Sequence, residues 1–245
     1  MLELHGLQRS GAYTALDLTV HRGEIVGITG LEGSGKDALA RGLFGLEPMG
    51  EGEVLLEDKP YRAADPRQAL DQGVAYLPRD RHGYGIVGLR PVRENVTLPI
   101  LRKLLGAAGL LSGPKERSLV QQLIDKLNVK TPSQEQPVEF LSGGNQQKVV
   151  FAKLSSTRPK VLLLDEPTQG VDVQAKVEIL KIVDQLAREG SAIMVIAEDI
   201  RELLDVSDRI LVMFQGRIVQ EFVVGEPGTS VERILSAVEG APVTA

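Results

Sequence analysis

Lys36 closes a run in which glycine recurs at 30, 33 and 35 (GLEGSGKD, Gly30 to Asp37), and such a run is suited to holding a phosphate. Glycines let the backbone curl until successive N–H groups converge on one point, and a helix beginning at the lysine adds its positive N-terminal end. Gly30, Leu31, Glu32, Gly33, Ser34, Gly35, Lys36 and Asp37 are therefore candidate anion-binding residues, with Lys36 acting on the outer phosphates as a point charge. A second group is the pair Asp165 and Glu166, closing the apolar run VLLLDEP from Val161 to Pro167. Carboxylates at the carboxyl end of a buried strand are placed to hold a cation or to polarise a water. A third stretch, LSGGNQQK from Leu141 to Lys148, offers Ser142 as a helix N-cap and uncovered amides at Gly143 and Gly144.

One position of the loop departs from the general pattern. The residue after the lysine is ordinarily Ser or Thr, whose hydroxyl ligates Mg²⁺; here it is Asp37. A carboxylate about 4 Å from a phosphate charge costs roughly 4 kcal/mol at an effective dielectric of about 20. A Mg²⁺ between them reverses the sign. Three readings stay open: binding that depends more strongly on Mg²⁺, a site of altered geometry, or an Asp37 that turns outward without effect.

The elements that must position these residues follow from periodicity. Residues 2–6 and 14–20 alternate as short strands, and EIVGITG is a nearly continuous apolar run, as expected of a buried parallel strand. The phosphate loop follows, then a helix with Leu39, Leu43 and Leu46 at helical spacing. This strand, glycine loop and helix is the context that gives the motif weight. VLLED and VAYLP are further strands, with a short helix between them capped by Asp65 and opened by Pro66. The segment RDRHGYG reads as a charged loop, and Arg79, Arg81, Arg90 and Arg93 form a basic loop region that is either a solvated rim or a contact face. Residues 92–156 turn helical, with Leu119, Leu123 and Leu127 on one amphipathic helix. Strands VLLLD and SAIMVIA, a helix over 173–188, a short helix over 200–204, a hairpin turning at Gln215-Gly216 and a last helix over 230–238 complete the chain. The β-α alternation implies α/β architecture with a mostly parallel sheet and right-handed crossovers.

Composition narrows the functional classes. The 245 residues carry 42% hydrophobic and 25% charged side chains, as in ordinary globular proteins. A net charge of −5 argues against broad, charge-driven binding of nucleic acid. The absence of cysteine excludes disulfide and thiolate chemistry. The N-terminus lacks the basic start and long apolar run of a secretory signal. The greasiest stretch, 98–111, is broken by Arg102 and Lys103 and is too short to cross a bilayer. Work at a membrane would require a membrane-spanning partner.

GLEGSGKD, LSGGNQQK and VLLLDEP, in that order and at that spacing, resemble the nucleotide-binding cassette of an ABC transporter. The resemblance covers about residues 2–225. It implies a P-loop NTPase core with an antiparallel β subdomain and an inserted helical subdomain. On that reading the chain is a single cassette over 1–245, with 1–91 and 157–245 as the core and 92–156 as the signature subdomain. It further implies ATP and Mg²⁺ as cofactors, with Asp165 holding the metal and Asp37 beside it. Glu166 would polarise the attacking water, with Lys36 as its catalytic companion. Ser142, Gly143, Gly144 and Gln146 would act in trans on ATP held by a second cassette, in a dimer or in the same polypeptide. TQGVD resembles the family's D-loop, with Asp172 at its acidic position.

The family places a glutamine after the VAYLP strand and a histidine after SAIMVIA, where this chain has Arg79 and Glu198. His5, His21 and His82 lie elsewhere and read as surface residues. An aromatic that stacks on adenine is expected about two dozen residues before the loop and does not occur, Tyr13 being too close. YLPRDR, LSGGNQQK and DEPTQGVDV resemble one branch: the second, C-terminal cassette of the ATP-binding subunits of bacterial monosaccharide importers of the ribose, xylose and galactose type. That resemblance implies transmembrane permease subunits as partners, a sugar-binding protein indirectly, no nucleic acid, and a peripheral position at the cytoplasmic face of the cell membrane. It also implies that the chain's own site turns over weakly. The rival readings are a regulatory cassette without turnover and a non-transport ABC ATPase. A DNA-repair type would need a long coiled coil between phosphate loop and signature, which the spacing excludes.

Overall fold

The structure is a computed structural model that describes residues 1–105, 109 and 111–240. Residues 106–108, 110 and 241–245, which fall in the expected helical insertion and at the end of the expected cassette, lie outside the described residues. The chain divides into two compact units, one of residues 1–76, 160–167 and 183–245, the other of residues 77–159 and 168–182. The sequence reading placed the start of the insertion near residue 92.

In the first unit, β1 (Leu2–Arg9) and β2 (Tyr13–Val20) form an antiparallel hairpin, and β1 also pairs with β4 (Glu51–Leu56), which carries the two-residue β5 (Lys59–Pro60). The second sheet has the order β10-β9-β3-β8-β7-β6. Its strands are β3 (Ile25–Thr29), β6 (Val74–Leu77), β7 (Val161–Asp165), β8 (Ala192–Ile196), β9 (Arg209–Phe214) and β10 (Arg217–Val223). Strands β9, β3, β8 and β7 run parallel, and β10 folds back antiparallel on β9 at Gln215-Gly216. Every residue of β3, β7 and β8 is buried, which is why IVGIT, VLLLD and AIMVI read as unbroken apolar runs rather than alternating ones.

Helix α1 (Lys36–Leu43) leaves the glycine loop, and α2 (Pro66–Gln72) is capped by Asp65, whose carboxylate accepts from the Gln68 N–H. Leu46 does not continue the α1 stripe. The chain turns off at Gly45 (φ 76°), and Leu46 is 50% exposed. The unit is completed by α7 (Ile200–Val206) and α8 (Val231–Val238), the latter capped by Ser230.

The second unit is helical: α3 (Val92–Thr97), α4 (Gly113–Lys126) and α5 (Gly143–Ser156), with α5 packed on both of the others. Helix α6 (Val173–Arg188) begins in this unit and ends in the first. Val92, Val96, Val120, Leu123, Val149 and Phe151 are buried at its centre. The expected charged loop RDRHGYG is instead a π-helical turn over Arg81–Gly85, closed by the Ile86 N–H to the Arg81 carbonyl at 2.9 Å. Asp80 caps it by accepting from the His82 and Gly83 N–H groups. Of the four arginines, Arg90 is exposed and Arg79 half-buried, whereas Arg93 and Arg81 are engaged with the protein. Arg93 reaches the buried Glu116 carboxylate at 2.7 Å and Glu135 at 3.0 Å, and Arg81 is engaged as described below. No helix of the described residues is long and apolar enough to cross a membrane.

Candidate functional site

The glycine loop joins the end of β3 to α1, and its glycines are there for different reasons. Gly30 has φ 154°, and a Cβ on it would stand 2.2 Å from the Met213 carbonyl oxygen. Gly35 has φ 100°, and its Cβ would meet the Ala12 carbonyl oxygen at 2.4 Å. The loop therefore threads between two strands of backbone where no side chain fits. Gly33 (φ 77°) has open space around it, with exposed Leu31 and Glu32 beside it.

Lys36 is 1% exposed. Its Nζ donates to the Leu31 carbonyl at 3.4 Å and lies 3.7 Å from Asp37 Oδ2. One long hydrogen bond to a three-donor ammonium is sparse for a buried charge, and an anion in the loop would supply the remainder. Ser34 Oγ is likewise buried and meets no hydrogen-bond partner among the described residues.

The two carboxylates are held separately. Asp165, 4% exposed, accepts a 2.8 Å hydrogen bond at Oδ2 from the Tyr76 hydroxyl. Burial, then the Asp165 charge and hydrogen bond, push the Tyr76 phenol pKa far upward, with Asp37 adding a smaller push in the same direction. The phenol thus stays a donor at any working pH. Glu166 has φ 48°, a left-handed conformation that costs a residue with a side chain about 1–3 kcal/mol. Its N–H donates to the Ile196 carbonyl at 2.8 Å, and its Oε1 accepts from the Glu198 N–H at 2.9 Å. The Glu198 side chain is exposed.

These groups fit a Mg²⁺ held jointly with phosphates. Asp37 Oδ1 is buried without a hydrogen-bond partner among the described residues, and both Asp37 and Asp165 act on the same Tyr76 phenol. Mg²⁺ is a cation taken by one or two carboxylates, with water and substrate phosphate completing the shell. Asp165 and Asp37 would hold it, and it would neutralise charge on the phosphates.

The other expected residues belong to the second unit. Ser142 is the N-terminal flank of α5, yet its hydroxyl caps no backbone amide; it accepts from Asn145 Nδ2 at 2.9 Å and stays exposed. Gly143 and Gly144 open the helix. A Cβ on Gly144 would meet Ala175 Cβ at 2.4 Å, so glycine is required there by packing. Gln146, expected to act with the signature, is 6% exposed and donates to the Leu141 carbonyl at 3.1 Å, which fixes the turn before the helix. Asp172 caps α6 by accepting from the Ala175 N–H at 2.9 Å. Arg79 is half-buried. Sequence reasoning missed Tyr76, although a tyrosine inside a buried strand needs a partner for its hydroxyl, and that was a usable signal.

A parallel sheet feeding a glycine loop, with a buried lysine and two strand-end carboxylates, defines a P-loop nucleotide-binding cassette. The chain belongs to the ABC transporter family, whose model matches residues 13–169. Within it, the chain is similar to the ribose import ATP-binding protein RbsA of Pseudomonas putida, 43% identical over 241 residues, or 98% of this chain and 46% of that protein. It is also similar to RbsA of Geobacillus kaustophilus, 39% identical over 239 residues, 98% of this chain and 48% of that one. The chain thus spans about half the length of the curated relatives it matches. The same fold occurs in the dimeric ATP-binding cassette MJ0796 bound to ADP and Pi, with TM-score 0.78, 23% identity, and coverage of 93% of this chain and all of that one.

Proposed function

We propose that this chain binds and hydrolyses ATP to drive import of a simple sugar through a membrane permease, and that it is the degenerate member of a cassette pair. The observation that carries the reading is the state of its site: Lys36 is buried and sparsely bonded inside the loop, while Asp165 and Glu166 are each fixed by a hydrogen bond. In this reading the loop amides and Lys36 bind the phosphates. Asp165 and Asp37 would hold Mg²⁺, and Glu166 accepts a proton from the attacking water as the water oxygen bonds to the γ-phosphorus and the bond from that phosphorus to the β–γ bridging oxygen breaks, releasing ADP.

The changes at Asp37, Arg79 and Glu198 weaken the chain's own turnover. Losing one preorganised charge-stabilising group costs about 2.7–4 kcal/mol of barrier. Ser142, Gly143 and Gly144 are kept to complete the ATP site of the second cassette. Similarity to proteins named for ribose import supports a simple sugar as cargo, with permease subunits and a sugar-binding protein as partners at the cytoplasmic face of the membrane. The test is ATP turnover by this chain alone and then mixed with its companion cassette. Turnover confined to the mixture and abolished by Ser142→Arg is expected. Full turnover alone would overturn the degenerate site.

A further inference from the structure

Within the second unit, three stretches distant in sequence meet at one side chain. The Arg81 guanidinium, on the π-helical turn, donates from Nη1 to the Gln169 carbonyl at 2.6 Å and from Nη2 to the Gly170 carbonyl at 3.2 Å. Both carbonyls belong to the loop TQGVD. A Cβ placed on Gly143, the first residue of α5, would lie 3.2 Å from Arg81 Nη2 and 3.2 Å from the Gly170 oxygen. The guanidinium is therefore wedged between the start of the signature helix and the loop. The turn that carries Arg81 is itself fastened to α5. Lys153, on α5, donates to the Gly85 carbonyl at 3.0 Å, and Gly85 packs on Val150 of the same helix. Lower down, the buried Lys148 of α5 pairs with Glu178 of α6 at 2.5 Å and donates to the Asn128 carbonyl at 2.8 Å.

We propose that Arg81 is a positioning residue that locks the loop 168–172 to the N-terminus of the signature helix, so that both surfaces are presented to a partner cassette as one piece. The proposal rests on the reading that Ser142 acts in trans. Arginine is required because its planar fork reaches two successive carbonyls while its face lies against glycine; lysine supplies a single point. A residue larger than glycine at 143 would displace the fork.

The test uses Arg81→Lys and Arg81→Gln in the full chain. Amide hydrogen exchange at Val171, whose N–H donates to the Thr168 carbonyl, and at Gln146, whose N–H donates to the Ser142 carbonyl, should accelerate together by about tenfold, the equivalent of one lost charge-assisted hydrogen bond, with β7 and β8 unchanged. Acceleration in 168–172 alone would overturn the lock, and acceleration throughout the sheet would reduce Arg81 to a general stabiliser. With the companion cassette present, kcat should fall by about ten- to a hundredfold at constant KM for ATP. An unchanged kcat beside a Ser142→Arg variant that is dead would also overturn the lock. If Ser142→Arg retains full turnover, the trans reading fails, and the exchange pattern still decides the role of Arg81.

Discussion

The Glu166 carboxylate accepts a hydrogen bond from the backbone N–H of Glu198, at 2.9 Å. Strands β7 and β8 are paired with Asp165 opposite Ile196, so the residues just beyond each strand end face one another. Any residue except proline at 198 supplies that N–H. If, as proposed, Glu198 stands where the family has a histidine, that change would alter what is offered to a phosphate while leaving the clamp on Glu166 in place.

Glu166→Gln separates chemistry from architecture. The glutamine oxygen still accepts from the Glu198 N–H, so the fold and ATP affinity should be kept. Phosphate release in the paired assembly should fall by about 10²–10⁴ where this site contributes, the usual worth of a positioned general base. With the companion's own base also replaced by glutamine, so that only this site turns over, an unmoved residual rate would place the base elsewhere.

Tyr76→Phe removes the hydroxyl that donates to Asp165 Oδ2. Outer partners of a metal-holding carboxylate are commonly worth about 10–100-fold in metal affinity. The Mg²⁺ concentration that gives half-maximal turnover should rise by that factor, at constant KM for ATP measured in saturating Mg²⁺. An unmoved Mg²⁺ requirement would remove Asp165 from the metal site.

Asp37→Ser restores the ordinary residue and deletes a carboxylate beside the phosphates. Nucleotide binding in EDTA should tighten by at least tenfold, well within the roughly 4 kcal/mol repulsion available at an effective dielectric of about 20. Binding with Mg²⁺ should change far less, because the metal reverses the sign of the Asp37 interaction. Equal effects in both conditions, read by titration calorimetry, would show that Asp37 faces away from the ligand.

The sequence made the sheet and the loop legible because each left a local trace. Unbroken apolar runs marked β3, β7 and β8, and glycines marked the turn where backbone carbonyls of Ala12 and Met213 crowd in. The π-helical turn was not legible. RDRHGYG carries no apolar period, and its shape depends on Asp80 capping and on Lys153, about seventy residues away, reaching the Gly85 carbonyl. Side chains whose partners are remote carbonyls leave no spacing to read.

Acid stability should depend on Glu24. Burial pushes its pKa up, but the Arg209 hydrogen bond at 2.6 Å and the His21 backbone N–H more than offset this, holding the carboxyl below its ordinary value of 4.5. Arg209 also reaches the Thr19 carbonyl and Glu221, so the carboxylate anchors a network tying β2, β9 and β10. A depressed carboxyl contributes stability that is present above its unfolded value and lost as pH falls through its folded value. Melting of the native chain should therefore steepen below about pH 4.5, and Glu24→Gln should flatten that limb. At neutral pH the variant should lose about 1.5–3 kcal/mol, the worth of a hydrogen bond to a charged group, and melt about 3–12 °C lower. Parallel acid limbs for the two proteins, followed by circular dichroism from pH 7 downward, would show that Glu24 keeps its ordinary titration and that the network stands without it.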